Sequence, residues 1–422
     1  MILSPLLRLA RRLPLPSSIS TSPTPLILAA TAALQRLDLS RDPRKTLHKL
    51  RSHKFTVTNT IPLLFMASCA MFSLIIMSAP IAFRLFLPTI YILALLLPIT
   101  SQFVYPATPV FAWLITFFCA RFIPSQHRPT IHVALLPALE SVLYGANISD
   151  LQTRYTNAFL DVLAWLPYGV LHFALPFVVA LVLWIFGPRG AVQYWGRAFG
   201  FMNLLGVITQ LIFPCAAPWY EIIHGLTPAN YSMPGSPGGL LRIDRVFHST
   251  GYTNAFGGAP LVFGAFPSLH SGCAVMEALF LSHFFPTLKP VYWGYVGVLW
   301  WSTMYLSHHY LIDLAGGACL SVMVFYVTMP PAFKDVDQID WAAAAAYESV
   351  PMGEDLTADE EFEREMRALE DEVELTEAVE AAEAGQAGEA GEVGGSDAAD
   401  KKNKRSVSWG ETKVLGEGEQ GR

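Results

Sequence analysis

Eight stretches of this chain are apolar over about the length of a bilayer crossing: 61 to 81, 84 to 103, 106 to 122, 158 to 186, 197 to 214, 271 to 286, 291 to 307 and 312 to 330. A hydrocarbon core of roughly 30 Å takes about 20 apolar residues as a helix, with 17 at the short end. In lipid, a crossing segment must also satisfy its own backbone hydrogen bonds. The pattern predicts an all-α fold, a polytopic transmembrane helical bundle of about 8 spans. Only 15% of the 422 residues are charged, whereas soluble domains carry about a quarter. The five cysteines, Cys69, Cys119, Cys215, Cys273 and Cys319, sit in or beside apolar runs with no metal or disulfide spacing, and read as small core residues.

Charge divides the chain into three. Residues 1–54 hold ten Lys or Arg against two Asp, up to Lys49-Leu50-Arg51-Ser52-His53-Lys54 at the first apolar run. An Arg-rich, acid-poor start also fits an organellar transit peptide. Charge that continues to the membrane edge favours a cytosolic N-terminus by the positive-inside rule. Residues 55–330 form the transmembrane domain. From Pro331 onward there are 25 acids against 9 Lys or Arg, while the preceding chain has 9 against 19. Residues 331–422 therefore read as an acidic, mostly disordered cytosolic tail that cannot bury enough apolar surface to fold, with Ser406 and Ser408 as modification candidates beside a basic cluster. Counting spans from a cytosolic start places 123–157, 215–270 and the turn at His308-His309 on the lumenal side. The sequons Asn147-Ile148-Ser149 and Asn230-Tyr231-Ser232 fall in those loops, where glycosylation is permitted.

The chemistry concentrates between Gly264 and Asp313. Phe266-Pro267-Ser268-Leu269-His270-Ser271-Gly272 opens one apolar run, and His309-Tyr310-Leu311-Ile312-Asp313 opens the next but one. Two crossings joined at Thr287-Leu288-Lys289-Pro290 bring His270 and His309 back to the same side. Asp313, four residues beyond His309, shares its helix face. Ionisable groups at a membrane edge are costly and mark function. A neutral imidazole can attack phosphorus, a carboxylate can orient it, and a second imidazole can handle the alkoxide proton. Lone histidines such as His132 and His172 read instead as core residues. Glu277, seven residues after His270, lies on the same helix face, either hydrogen-bonded within the bundle or tuning His270. The residues hold no zinc spacing, nucleotide loop or nucleic-acid patch, and call for no metal or cofactor.

These blocks resemble the second and third signatures of the type 2 phosphatidate phosphatase superfamily of lipid phosphatases and phosphotransferases. Longer stretches, Pro228-Ala229-Asn230-Tyr231-Ser232-Met233, Gly235-Ser236-Pro237-Gly238-Gly239-Leu240 and Trp300-Trp301-Ser302-Thr303-Met304-Tyr305-Leu306, resemble the catalytic subunits of fungal inositol phosphorylceramide synthases over about residues 50–330. The resemblance implies transfer of phosphoinositol from phosphatidylinositol to ceramide, with release of diacylglycerol, at the lumenal face of the Golgi membrane. A small membrane regulatory subunit is implied as partner. His309 is the implied nucleophile that forms a phosphohistidine, Asp313 its orienter, and His270 the acid and base.

Two positions depart from the superfamily pattern. Leu269 stands where the second block has glycine, and Thr303 where the third has arginine. Phosphoryl transfer depends on cations around the phosphate oxygens, so other groups must compensate. Ser268 with Arg242 and Arg245 are candidates, as are Arg121 and Arg128, which match the first block with Arg in place of Lys. The motifs also fit a lipid-phosphate phosphatase. A non-catalytic lipid transporter or scaffold is disfavoured because the charged groups gather at one membrane edge.

Overall fold

The computed structural model describes residues 25–334. The acidic tail, with Ser406 and Ser408, and the first 24 residues lie outside the described residues. Within them the chain is helical: α1 (Pro25–Gln35), α2 (Pro43–Ser52), α3 (Val57–Ile76), α4 (Ile81–Leu96), α5 (Pro98–Val104), α6 (Thr108–Cys119), α7 (Leu135–Tyr144), α8 (Ile148–Thr153) and α9 (Ala158–Trp165) come first. A π-helical segment, Leu166–Leu171, joins α9 to α10 (His172–Phe186). Then follow α11 (Ala191–Ile212), α12 (Pro218–His224), α13 (Leu240–Val246), α14 (Gly251–Gly257), α15 (Leu269–Phe284), α16 (Lys289–Tyr305) and α17 (Leu311–Thr328).

Each of the eight apolar runs holds helix, and the chain is a membrane protein. Three helical stretches among the described residues are long and apolar enough to cross a bilayer by length and composition alone: Asn59–Ile76, Ala158–Phe186 and Leu311–Thr328. The bent pair α4 and α5, at 113°, makes a fourth if it is one span. Helices α6, α15 and α16 fall short in length, at 12, 16 and 17 residues, and the 22-residue α11 in apolarity. Helices α11 and α15 carry the polar residues Asn203, Gln210, Ser271 and Glu277, all buried, because protein rather than lipid surrounds them. Phe72, Ile75, Phe173, Phe177 and Val327 lie exposed on the outer helices, as a hydrocarbon surround requires.

The central packing is α11 against α6, α15 and α17. Tyr194, Trp195, Met202, Phe280, Phe284 and Phe325 fill it. Helices α15 and α17 are tied together near their amino-terminal ends. There Ser271 Oγ donates to the Leu314 carbonyl at 2.6 Å and Ser321 Oγ to the Gly272 carbonyl at 2.6 Å. Each hydroxyl satisfies a carbonyl and ties the two helices together. At the opposite end Arg36 donates to the Trp184, Ile185 and Gly187 carbonyls, using a cation to cap the last turn of α10.

The segments between the apolar runs hold more helix than their sequence suggests. Residues 123–157 contain α7 and α8, and residues 215–270 contain α12, α13 and α14. These short helices form the walls around the two signature blocks.

Candidate active site

Three loop segments are aligned by backbone hydrogen bonds just before the second block. His132 N donates to the Pro214 carbonyl, Ala216 N to His132, Cys215 N to Phe263 and Ala265 N to Cys215, at 2.9 to 3.2 Å. Ser268 then starts α15 as its N-cap, its hydroxyl accepting from Ser271 N at 3.3 Å, which satisfies one of the helix's orphan donors. The Ser268 amide donates to the Asp313 carbonyl at 2.9 Å. The first turns of α15 and α17 are thus joined beside the histidines they carry.

The convergence expected from the sequence is present. His309 Nδ1 lies 3.0 Å from Asp313 Oδ2, and His309 Nε2 lies 3.2 Å from His270 Nδ1. Asp313 Oδ2 also accepts the Tyr310 amide at 3.0 Å. The partners assign the tautomers. The Asp313 carboxylate takes the proton on His309 Nδ1, so Nε2 presents a lone pair and His270 Nδ1 donates to it. Burial pushes the His309 imidazole down to about 3, against an opposing pull from the Ala265 carbonyl. His309 is therefore neutral at physiological pH, the form a nucleophile needs.

His270 is held by aromatic rings that sequence reasoning did not assign to the site. Tyr168 stacks on it at 4.5 Å and 21°, and His172 lies against it at 4.5 Å. Tyr168 also stacks on His308, at 5.1 Å and 13°, and Phe256 covers His308 at 4.7 Å. Burial pushes His308 down to about 3, and its Nε2 lies 3.0 Å from the Pro237 carbonyl. Tyr168 belongs to the π segment and His172 begins α10, so the widened turn supplies both rings. Such insertions recur at functional sites. His172 thus stands in the site, while His132, against the Phe213 ring at 4.6 Å, fits the core reading.

The loop bearing His308 and His309 is fixed by close backbone approach. Gly239 N donates to the Leu306 carbonyl at 2.8 Å. Gly238 has φ +52°, and a β-carbon there would press on the same carbonyl at 2.7 Å, so glycine is required.

The proposed cations stand in different settings. Arg242, on α13, pairs through Nε with Asp161 Oδ1 at 2.7 Å, and Tyr305 OH donates to the same oxygen at 2.9 Å. Its Nη2 is buried with no hydrogen-bond partner and faces Gly239. Arg245 on the same helix is exposed. Arg128 donates to the carbonyls of Ile123, Ala120 and Arg121 and lies 4.9 Å over the Tyr231 ring. Arg121 is exposed, 4.8 Å over Phe118. Asp161, a carboxylate inside an apolar run, was the available signal for the Arg242 pair. Glu277 is buried, and both its carboxylate oxygens lack a protein partner. Among the described residues no group of three or more His, Cys, Asp or Glu is arranged to hold a metal ion.

Residues 134–327 match the model of the PAP2 superfamily. The chain is 45% identical over 310 residues to the inositol phosphorylceramide synthase catalytic subunit of Schizosaccharomyces pombe, covering 73% of each chain. It is 49% identical over 296 residues to the corresponding catalytic subunit of Saccharomyces cerevisiae, covering 69% of this chain and 73% of that one. With the inositol phosphorylceramide synthase of Candida albicans it shares 47% identity over 300 residues, covering 71% of this chain and 64% of that one. No solved structure matches. With a relative this similar across almost three quarters of both chains, and with the paired histidines and aspartate of the two signature blocks in contact, the chain belongs to the inositol phosphorylceramide synthase family of the PAP2 superfamily.

Proposed function

We propose that the chain makes inositol phosphorylceramide from phosphatidylinositol and ceramide through a phosphohistidine on His309. The observation that carries this reading is the Asp313–His309–His270 line, in which His309 Nε2 presents its lone pair toward the second imidazole. In the first half-reaction the lone pair attacks phosphorus. The phosphorus–oxygen bond to diacylglycerol breaks, and protonated His270 gives its proton to the departing alkoxide. In the second, neutral His270 takes the proton of the ceramide primary hydroxyl, whose oxygen attacks phosphorus. The phosphorus–nitrogen bond then breaks, returning its electron pair to Nε2. Asp313 holds the Nδ1 proton and stabilises the positive ring in both.

Arg242 is the best placed of the cations to meet the phosphate, because its Nη2 has no protein partner and its helix packs on the His308 loop. Arg121 and Arg128, with Ser268, complete the set and act by positioning and charge, while Arg245, exposed on the same helix as Arg242, adds little. The site faces the Golgi lumen with both termini in the cytosol, as the basic N-terminal segment favours. The relatives named as catalytic subunits support a regulatory membrane subunit as partner.

The test supplies purified protein with labelled phosphatidylinositol and either ceramide or water. Wild type gives labelled inositol phosphorylceramide with ceramide. His309→Ala and Asp313→Asn, still folded by thermal unfolding in detergent, give at least about a thousandfold less. Wild-type transfer by either variant overturns the mechanism. Release of inositol phosphate with no ceramide product favours a phosphatase.

A further inference from the structure

Behind His309, on the side away from His270, lie two carboxylates that the mechanism above does not use. Helix α7 brings Glu140, 0% exposed, to the amino end of α17, where its Oε1 accepts the Leu311 amide at 3.2 Å. Helix α12 brings Glu221, whose Oε2 accepts from Tyr310 OH at 2.8 Å and from Asn147 Nδ2 at 3.0 Å. Helices α8 and α12 also reach the last turn of α16 and the loop after it. Ser149 Oγ donates to the Met304 carbonyl at 3.0 Å, and the Trp219 amide to the Ser307 carbonyl at 2.9 Å. Every residue from His309 to Asp313 except Ile312 is therefore held by, or holds, a carboxylate.

The bond from Leu311 N alone would not require a glutamate, because a buried Gln or a loop carbonyl accepts an amide equally well. The Glu140 Oε2 atom is buried without a well-formed hydrogen bond, a costly arrangement for a charged group unless the charge is used, though the Ile148 amide also faces the carboxylate. What changes charge in the segment it anchors is His309, two residues before Leu311 and paired with Asp313, whose field reaches Glu140. The His309 ring becomes cationic when Nε2 bonds to phosphorus while Nδ1 keeps its proton. Tyr310 joins the two anchors covalently to His309.

We propose that Glu140 and Glu221 are positioning residues for the His309 nucleophile. Glu140 fixes the first turn of α17 and sets a second negative charge behind the His309–Asp313 pair, and Glu221 fixes the loop through Tyr310. The inference rests on His309 being the nucleophile. Burial pushes the Glu140 carboxyl up to about 7, opposed by the amides of Leu311 and Ile148 and reinforced by the Asp313 and Glu221 charges. The titratable groups facing Glu140 are Asp313 on α17, Glu221 on α12, and Tyr310 in the loop between α16 and α17. Glu140 then loses its charge as pH falls through about 7, and the support for a cationic His309 falls with it.

The experiment measures phosphatidylinositol-to-ceramide transfer by the full chain between pH 5.5 and 9, with His309→Ala as control. Glu140→Gln keeps the acceptor for Leu311 and removes the charge. The expected result is a wild-type pH profile with an inflection near 7, and for the variant a kcat about tenfold lower at pH 8, KM for both lipids within about twofold, and no such inflection. Glu221→Gln keeps an acceptor for Tyr310 and stays within about threefold of wild type, whereas Glu221→Leu and Tyr310→Phe each lower kcat about tenfold with KM unchanged. A Glu140→Gln enzyme with wild-type kcat and an unmoved inflection overturns the role of Glu140. If that variant does not fold, Tyr310→Phe at wild-type kcat overturns the anchoring. Activity retained by His309→Ala defeats the nucleophile reading instead, whatever the glutamate variants do.

Discussion

Gly317 on α17 rests on the carbonyl oxygen of Ser268, and a β-carbon at 317 would run into that atom. The contact sets the spacing between the helix that carries His270 in its first turn and the helix that carries Asp313. Backbone cannot yield as a flexible side chain does. Gly317→Ala gains helix propensity of about 1 kcal/mol but forces α15 and α17 apart, at about 1–3 kcal/mol or more. The variant unfolds at lower temperature in detergent and loses transfer activity. Gly294→Ala and Gly297→Ala on α16, where a β-carbon meets open space, leave activity intact and raise the unfolding temperature slightly. Thermal unfolding and a transfer assay on all three check this.

Tyr168 serves His270 through its ring face, so the hydroxyl is dispensable. Tyr168→Phe holds kcat within about threefold. Tyr168→Ala removes two stacking contacts, each worth about 0.5–1.5 kcal/mol, and lowers kcat about tenfold or more. Steady-state kinetics of the two variants side by side decide it.

Arg242 and Arg245 sit on the same short helix in opposite circumstances, one paired with Asp161 and one exposed. Arg242→Gln lowers kcat/KM for phosphatidylinositol about a hundredfold, while Arg245→Gln stays within about threefold. Asp161→Asn leaves the Arg242 charge without its buried partner, a loss on the order of 3–5 kcal/mol, and it lowers the unfolding temperature as well as activity. Kinetics against phosphatidylinositol concentration, with thermal unfolding, separate the two effects.

His308 and His309 impose an acid limit on stability. Both rings are neutral when folded, with burial pushing each down to about 3, and both take up protons below about 6.5 when unfolded. The unfolded state then binds more protons, so stability falls as pH drops from about 6.5 toward 3, by about 1.4 kcal/mol per pH unit for each ring. His308→Gln reduces that slope by one ring's share. Chemical denaturation in detergent across pH 4.5 to 7.5 measures it.

The sequence placed His270, His309 and Asp313 because their evidence is local: two signature blocks, each at the start of an apolar run, with a four-residue spacing. It also located helix in all eight apolar runs, since apolarity and length are properties of the runs themselves. What escaped was contributed from a distance. Tyr168 and His172 reach His270 from about 100 residues away, and Glu140 reaches Leu311 across 171 positions. No periodicity within either segment encodes such a meeting. Asn147 reads as a glycosylation acceptor in sequence, yet its amide nitrogen is committed to Glu221 and Ser149 is 0% exposed. The triplet looks identical whether it serves as an anchor or an acceptor.

The π segment from Leu166 to Leu171 makes part of this site a matter of counting rather than identity. A wider turn accommodates one residue beyond the α-helical repeat. Deleting a single residue there would restore the ordinary winding and leave α9 and α10 nearly in phase, because the wide turn already absorbs the extra position. Tyr168, inside the wide turn, would lose the placement that stacks its ring on His270 and His308. Two chains with the same residues at every contact, differing by one position in the length of this turn, would present different sites.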